Sequence, residues 1–501
     1  MSRPLLLKRD PIRVACALLL SLAGGIAGHA PALGQTIAEI GNRWEPLVDR
    51  FLVDHVEGAA RHELVPPQYA EVVFTFDAPW EGRYCGYVTI LRDGSRFLMY
   101  YRGMPASSGQ DSDQAFTCVA ESSDGIAWRR PELDLFTING HARNNVILAN
   151  HAAYTHNFAP FIDTNPDCPP DRRFKALAGT EETGLSTFVS ADGVHWTLEK
   201  EGAIREGGVF DSQNVAFWSE TEQQYVCYAR VWTQGGYNGY RWVGRTTSPD
   251  FQAWTAVVPM DKGDAKDEHI YTNQTLPCPG APHLYISLAA RFMPNRKVIT
   301  PEQEAAIGVE SKYAGDCSDA VLMTSRGGNR YDRTFMEGYI RPRIGPEHWT
   351  SRTNYPAHGI VETGPSEWSI YVQEAYGQPT ARLARYRIGP MRFASVRAGY
   401  DGGALVTRPF TFAGDTLYLN MATSAAGSIR CALLDAQTGQ PFPGFDVADC
   451  QQMIGNDPAH QARWSGGSLA PLVGKPVRLR VELYDADLYA LRFGTAEEAT
   501  R

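Results

Sequence analysis

Apolar and polar positions alternate in short runs along most of the chain, the period-two pattern of half-buried strands. The runs Phe97 to Arg102, Phe174 to Ala178, Tyr225 to Val231, Leu284 to Arg291 and Ser369 to Glu374 are rich in aromatic and β-branched residues, and no helical heptad pattern competes with them. Downstream of each run comes a turn. Ser122-Ser123-Asp124-Gly125-Ile126-Ala127-Trp128 and Ser190-Ala191-Asp192-Gly193-Val194-His195-Trp196 share the pattern S-x-D-G-x-x-W. Ser248-Pro249-Asp250-Phe251-Gln252-Ala253-Trp254 keeps most of it, Ser325 to Tyr331 is weaker, and Arg387 to Phe393 is degenerate. Asp-Gly supplies a tight turn with the positive φ it needs, and the aromatic three residues after Asp covers the strand behind it.

The five starts lie 68, 58, 77 and 62 residues apart. Repeating units of several strands at such a period predict a β-propeller, here of five blades over about residues 48–402. Beyond about residue 403 the texture changes to Leu405–Phe412, Thr416–Met421, Gly427–Leu434 and Val477–Leu483, which reads as a β-sandwich over 403–495. The expected fold class is therefore all-β. Glu45 to Val56 reads either as an amphipathic helix or, through Arg50-Phe51-Leu52-Val53-Asp54, as a strand. We take the strand, lent to the last blade to close it.

The N-terminus changes the compartment. Lys8, Arg9 and Arg13 precede an apolar run from Val14 to Ala27 and small residues through Gly34, the layout of an export signal over 1–34 and hence of a secreted or periplasmic protein. The run is too short and glycine-rich for a span, so no membrane insertion is expected. Eight cysteines follow it, too few for a disulfide framework in a chain of 501 residues, and Cys85, Cys118 and Cys227 read as buried thiols. A formal net charge of −9 argues against nucleic acid as partner. No zinc spacing, nucleotide loop, nucleophile elbow or H-E-x-x-H occurs, so no cofactor is expected. A structural Ca²⁺ would have no ligand spacing to mark it.

Polar and aromatic residues gather just ahead of the first strand of every unit: Phe76 to Gly82, His156 to Asp163, Phe210 to Asn214, Glu268 to Asn273 and Arg352 to Tyr355. The first strand of a propeller blade lines the channel, so the five clusters should converge on one pocket. Paired carboxylates there would suit glycosidic cleavage, which needs an acid for the leaving oxygen and a carboxylate as nucleophile or base. Asp77, Glu81, Asp211 and Glu268 are the candidates. His156, Asn157, Gln213, Asn214, Tyr271, Arg352 and Asn354 suit sugar hydroxyls, while Trp80 and Tyr355 suit stacking on a ring face. Asp124, Asp192 and Asp250 belong to the turns, and Asp163 reads as a turn former.

A secreted five-bladed propeller with these turns, an acid in its first blade and a C-terminal β-sandwich resembles the glycoside hydrolases of the invertase, levansucrase and arabinanase group, family 32-like bacterial proteins among them. The resemblance spans about residues 48–495. It implies acids at the first strands of blades one, two and three. Asp77 or Glu81 and Asp211 match, whereas Asn157 stands at the blade-two position. Asn456-Asp457-Pro458 and Arg9-Asp10-Pro11 look like invertase strings but fall outside the blades, and no Glu-Cys pair occurs, so a divergent member is expected. Two alternatives stay open. One is a non-catalytic carbohydrate-binding propeller; the other is a sialidase-like enzyme with Arg291, Arg341 and Arg352 as a carboxylate-binding triad.

Overall fold

The computed structural model describes residues 37–105 and 114–495. The expected export signal, 1–34, lies outside them. The described chain is all-β, as its alternation predicts, and among the described residues no helix is long and apolar enough to cross a membrane.

Between residues 86 and 388 the chain builds antiparallel sheets in sequence order. The first is Gly86–Asp93, Arg96–Gly103, Phe116–Ser122 and Val146–Leu148. The second is Ala159–Ile162, Phe174–Thr180, Gly184–Ser190 and Thr197–Ile204. Val215–Ser219, Gln224–Trp232, Arg241–Ser248 and Val258–Pro259 form the third. In the fourth, His269–Thr272 and Thr275–Cys278 both pair with Ala281–Met293, which pairs in turn with Cys317–Ser325. The fifth set, Tyr355–Gly364, Glu367–Glu374 and Arg382–Ile388, is completed from far upstream by Gln68–Thr75. It joins the first through a single parallel pairing, His358 to Thr89. The leading strands adjoin in a closed cycle: first to second, second to third, third to fourth, fourth to fifth, fifth back to first.

In the first three sheets the repeated turn joins the third strand to the fourth. Asp124 Oδ1 accepts from the Ile126 and Ala127 amides at 2.8 Å each, Ser122 Oγ accepts from the Gly125 amide at 2.9 Å, and Trp128 Nε1 donates to the Gly125 carbonyl. The copy at Ser190 repeats these bonds. Each glycine carbonyl also accepts from a tyrosine one sheet back: Tyr371 to Gly125 at 2.7 Å and Tyr100 to Gly193 at 2.8 Å. That contact explains the glycine. At Gly193 φ is +80°, and a Cβ would sit 2.5 Å from the Tyr100 hydroxyl. The turn is thus a staple between neighbouring sheets as well as a cover.

The remaining strands form one ten-stranded sheet that draws on both ends of the chain. Val53–Gly58 pairs antiparallel with Gly403–Thr407, and Arg61–Leu64 pairs with Ala394–Ala398. This corrects the strand expected at Arg50 to Asp54: the segment does not close the fifth sheet, a task taken by Gln68–Thr75. The dividing lines at 48 and 402 shift accordingly, because 38–64 belong with the C-terminal strands. Val53 to Gly58 buries mainly its first residue, so it suits the rim of a sheet with its own core of Leu405, Leu417, Leu479 and Val481. The described cysteines are all free thiols, and every one but Cys168 is buried.

Candidate functional site

An antiparallel meander brings two kinds of segment to the same side: the entry to each first strand, and the hairpin from its second strand to its third. A cavity of about 680 Å³ opens there. Entries contribute Tyr87 from the first sheet, His156 and Asn157 from the second, Asp211 from the third, Tyr271 from the fourth, and Arg352 and Tyr355 from the fifth. Hairpins contribute Arg102, the Thr180-Glu181-Glu182-Thr183 turn, Tyr237 and Tyr376. Four of the five polar clusters therefore meet, each only in part; the first, Phe76 to Gly82, sends no side chain to the cavity, and Tyr87 takes its place there.

Several cluster members brace the backbone, Asn157 among them although it also borders the cavity. Asn157 Nδ2 donates to the carbonyls of Gly179, Phe210 and Ser212, at 2.8, 2.9 and 3.0 Å, and its Oδ1 accepts from the Gly179 amide. Asn214 Nδ2 donates to the same Phe210 and Ser212 carbonyls. Two buried amides thus grip the turn that carries Asp211, in which Phe210 has φ +59°. Asn354 plays the same part in the fifth sheet, donating to Ser318 and His348 carbonyls. Gln213 lies deeper, donating to Thr89 Oγ1 at 2.8 Å and accepting from Gln274. Gln213, Asn214 and Asn354 are each fully buried with their amide nitrogens donating to the protein, though Asn354 Oδ1 has no partner among the described residues. Buried amides must satisfy both donor and acceptor, and the strand entries offer unpaired carbonyls.

The carboxylates expected to work together are dispersed. Glu81 is buried, accepting from the Tyr101 hydroxyl at 2.5 Å, from Arg130 Nε and Nη2 at 2.9 and 2.8 Å, and from the Ala78 amide at 3.0 Å. Asp77 is 69% exposed and also pairs with Arg130. Glu268 pairs with Arg291 and Arg333. None of the three lines the cavity. Trp80 is buried away from it too, its Nε1 donating to Asn145 Oδ1 at 2.7 Å. Arg291 is bound to Asp319 at 2.6 Å as well as to Glu268, which removes it from any free triad with Arg341 and Arg352. Asp163, expected as a turn former, does hold the Asn165 amide, and its second oxygen pairs with Lys175 at 2.9 Å.

Asp211 is the expected acid that does reach the cavity, its side chain half exposed and 3.8 Å from His156 Nε2. Burial, with the Arg102 charge close by, holds the His156 imidazole well below its ordinary pKa despite Asp211, so the ring is neutral at physiological pH. Glu181 and Glu182 are the acids that sequence reading missed. They sit in a short hairpin, Thr180 to Gly184, where two adjacent acids look like a solvated turn. The signal was topological: the turn follows a second strand and so faces the same side as the first-strand entries. Tyr237 ties these acids together. Partial burial first, then the nearness of the Glu181 carboxylate and the charge of Asp211, push its phenol up. Among the described residues no three His, Cys, Asp or Glu side chains gather as metal ligands.

No protein-family model matches the chain, and no curated protein matches it. Among solved structures it is similar to an N-acetylgalactosamine deacetylase from F. plautii in complex with blood group B trisaccharide, with 13% identity over 68% of this chain and 96% of that one, at a TM-score of 0.41. A glycosyl hydrolase from Bacteroides ovatus matches at 13% identity over 68% and 96%, with a TM-score of 0.38. A member of the GH130 family of mannoside phosphorylases matches at 14% identity over 70% and 99%, again at 0.38. Likeness at this level carries no inference about chemistry.

Proposed function

We propose that the protein is a secreted carbohydrate-active enzyme, a glycoside hydrolase whose sheets are the five blades of a β-propeller and whose substrate enters the central cavity. The closed cycle of leading strands supports the propeller, and the composition of residues 1–34 supports export. The observation that carries the hydrolase reading is the meeting of Asp211 and the Glu181 hairpin at one cavity walled by tyrosines, with Tyr237 feeling both acids. Glycosidic cleavage needs two carboxyl groups facing one bond, and aromatic walls suit a sugar ring. In this reading Asp211 works with Glu181 or Glu182, and Asp77, Glu81 and Glu268 are structural.

The test is a panel of glycans with reducing-sugar detection on purified protein, followed by Asp211→Asn and Glu181→Gln on whichever glycan is cleaved. Loss of about 10²-fold or more in turnover with each variant supports the assignment, and wild-type turnover with both sinks it. The dispersal of Asp77, Glu81 and Glu268 favours a second reading, a propeller that binds carbohydrate without cleaving it. Glycan binding with no turnover across the panel selects that reading.

A further inference from the structure

Two guanidinium groups line the cavity, those of Arg102 and Arg352, and two more, of Arg230 and Arg241, lie close behind Tyr271. Arg102 is 7% exposed; its Nη2 donates to the Tyr84 carbonyl at 2.8 Å and lies 3.3 Å from the Tyr376 hydroxyl. Its Nη1 stands 3.3 Å from both ring nitrogens of His156, a neutral partner, while its buried Nε has no partner. Arg352 Nη1 reaches the same Tyr376 hydroxyl at 3.5 Å, and its buried Nε is also unpartnered. Arg230, buried behind them, donates to the Tyr271 carbonyl. Three guanidinium groups surround the Tyr271 ring, Arg230 at 4.6 Å and Arg241 and Arg352 at 5.4 Å, and Arg102 faces Tyr87 at 4.8 Å. Among the described residues none of these four arginines has a carboxylate within 4.0 Å.

Four other arginines that are at least partly buried are treated differently, although Arg392, held by Asn420, Asn456 and the Met421 carbonyl, also lacks a carboxylate. Arg130 has Glu81 and Asp77, Arg291 has Asp319 and Glu268, Arg326 has Asp49 and Glu45, and Arg385 has Glu71 and Glu367. Clustered cations repel and are costly to desolvate; cation–π contacts of about 0.5–2 kcal/mol each offset only part of that. The crowding is felt at Arg241, whose pKa falls below its ordinary value through burial first and then the charge of Arg230. The acids at the cavity, Asp211 and the Glu181-Glu182 hairpin, are outside ion-pair reach of all four. A neutral sugar would give these forks only hydroxyl oxygens, whereas an oxyanion fits them in pairs and supplies the missing charge.

We propose that the sugar held in this cavity is acidic, carrying a ring carboxylate or a sulfate ester that binds between Arg102 and Arg352, with Arg230 and Arg241 reinforcing the field from behind Tyr271. This rests on the carbohydrate reading above and narrows it to anionic glycans.

Titration calorimetry on the full purified chain tests it, with D-glucuronic and D-galacturonic acid set against D-glucose and D-galactose, and with glucose 6-sulfate and inorganic sulfate as further probes. The acidic sugars are expected to bind about tenfold or more tighter than their neutral parents, a gap that narrows as salt is raised. The uronic acids against glucose 6-sulfate tell which oxyanion the cavity takes. Arg352→Gln and Arg102→Gln, checked for folding by circular dichroism, should bring acidic and neutral sugars to the same affinity. The wild-type comparison decides even if both variants fail to fold. Equal binding of neutral and acidic sugars overturns this inference and leaves the hydrolase proposal standing. No binding of any sugar, with or without binding of sulfate as an adventitious ion only, overturns both.

Discussion

Replacing Glu81 by alanine separates the structural from the catalytic account of the acid that sequence reading placed in the active site. Its carboxylate takes four hydrogen bonds, two of them from the Arg130 fork, with no side-chain surface open to solvent. Removing it leaves the Tyr101 hydroxyl buried and shorn of its acceptor. Arg130 keeps only the exposed Asp77, the Thr75 carbonyl and the face of Phe74. Breaking a buried pair by deleting one partner costs about 3–5 kcal/mol. The unfolding entropy is roughly 2.1 cal/mol/K per residue, so about 460 residues give on the order of 1 kcal/mol/K and the loss converts to a fall of roughly 3–5 °C in Tm. Differential scanning calorimetry of wild type and Glu81→Ala, beside calorimetric sugar binding, reads both halves. Lower melting with intact binding is the expected result. Unchanged melting with loss of turnover on a verified glycan would return Glu81 to the chemistry and refute the reasoning.

Trp196 packs edge-on against Phe158, with centroids 4.9 Å apart, and bonds its own turn. Trp196→Ala should therefore cost about 3 kcal/mol by denaturant melts without altering cavity binding. Asp211→Asn keeps the shape but cannot cycle a proton, so turnover should fall about 10²-fold while sugar binding, read by calorimetry, persists. Burial alone would push Glu45 up, but His283, Arg326 and Arg43 override it and hold the carboxyl at about 2 against an ordinary 4.5. A depressed folded pKa adds stability that is fully present above the unfolded value and lost as pH falls through the folded one. Wild type should thus lose about 3 kcal/mol between pH 4.5 and 2 that Glu45→Gln does not lose, checked by urea midpoints across that range.

How far the sequence could be read depended on whether a feature repeats. The strands upstream of each turn were legible because alternation and the S-x-D-G-x-x-W pattern recur, and Arg96–Gly103, Phe174–Thr180, Gln224–Trp232, Ala281–Met293 and Glu367–Glu374 are each the second strand of a sheet. The meeting of the second to fifth entries was legible for the same reason, whereas Phe76 to Gly82, expected with them, stays away from the cavity. Which member of each entry faces the cavity was not, because Asn157 bracing a backbone and Asp211 reaching solvent look alike in one dimension. Asp77 and Glu81 looked paired for chemistry; the partner that claims both, Arg130, lies some fifty residues on and arrives only through the fold. Val53–Gly58 misled because an edge strand reads the same in whichever sheet it joins, and its partner Gly403–Thr407 carries no marker of the pairing.

The closure by Gln68–Thr75 has a consequence in time. Its partner, Arg382–Ile388, follows about 310 residues later, so a chain made at roughly 5–20 residues per second leaves the earlier strand single for about 15–60 s. A lone strand is a template for pairing with another chain. This one carries Glu71 at its middle, a charge that disfavours stacking of identical copies and later meets Arg385 at 2.5 Å when the ring shuts. The residue that guards the strand while it waits is the one that latches it on arrival.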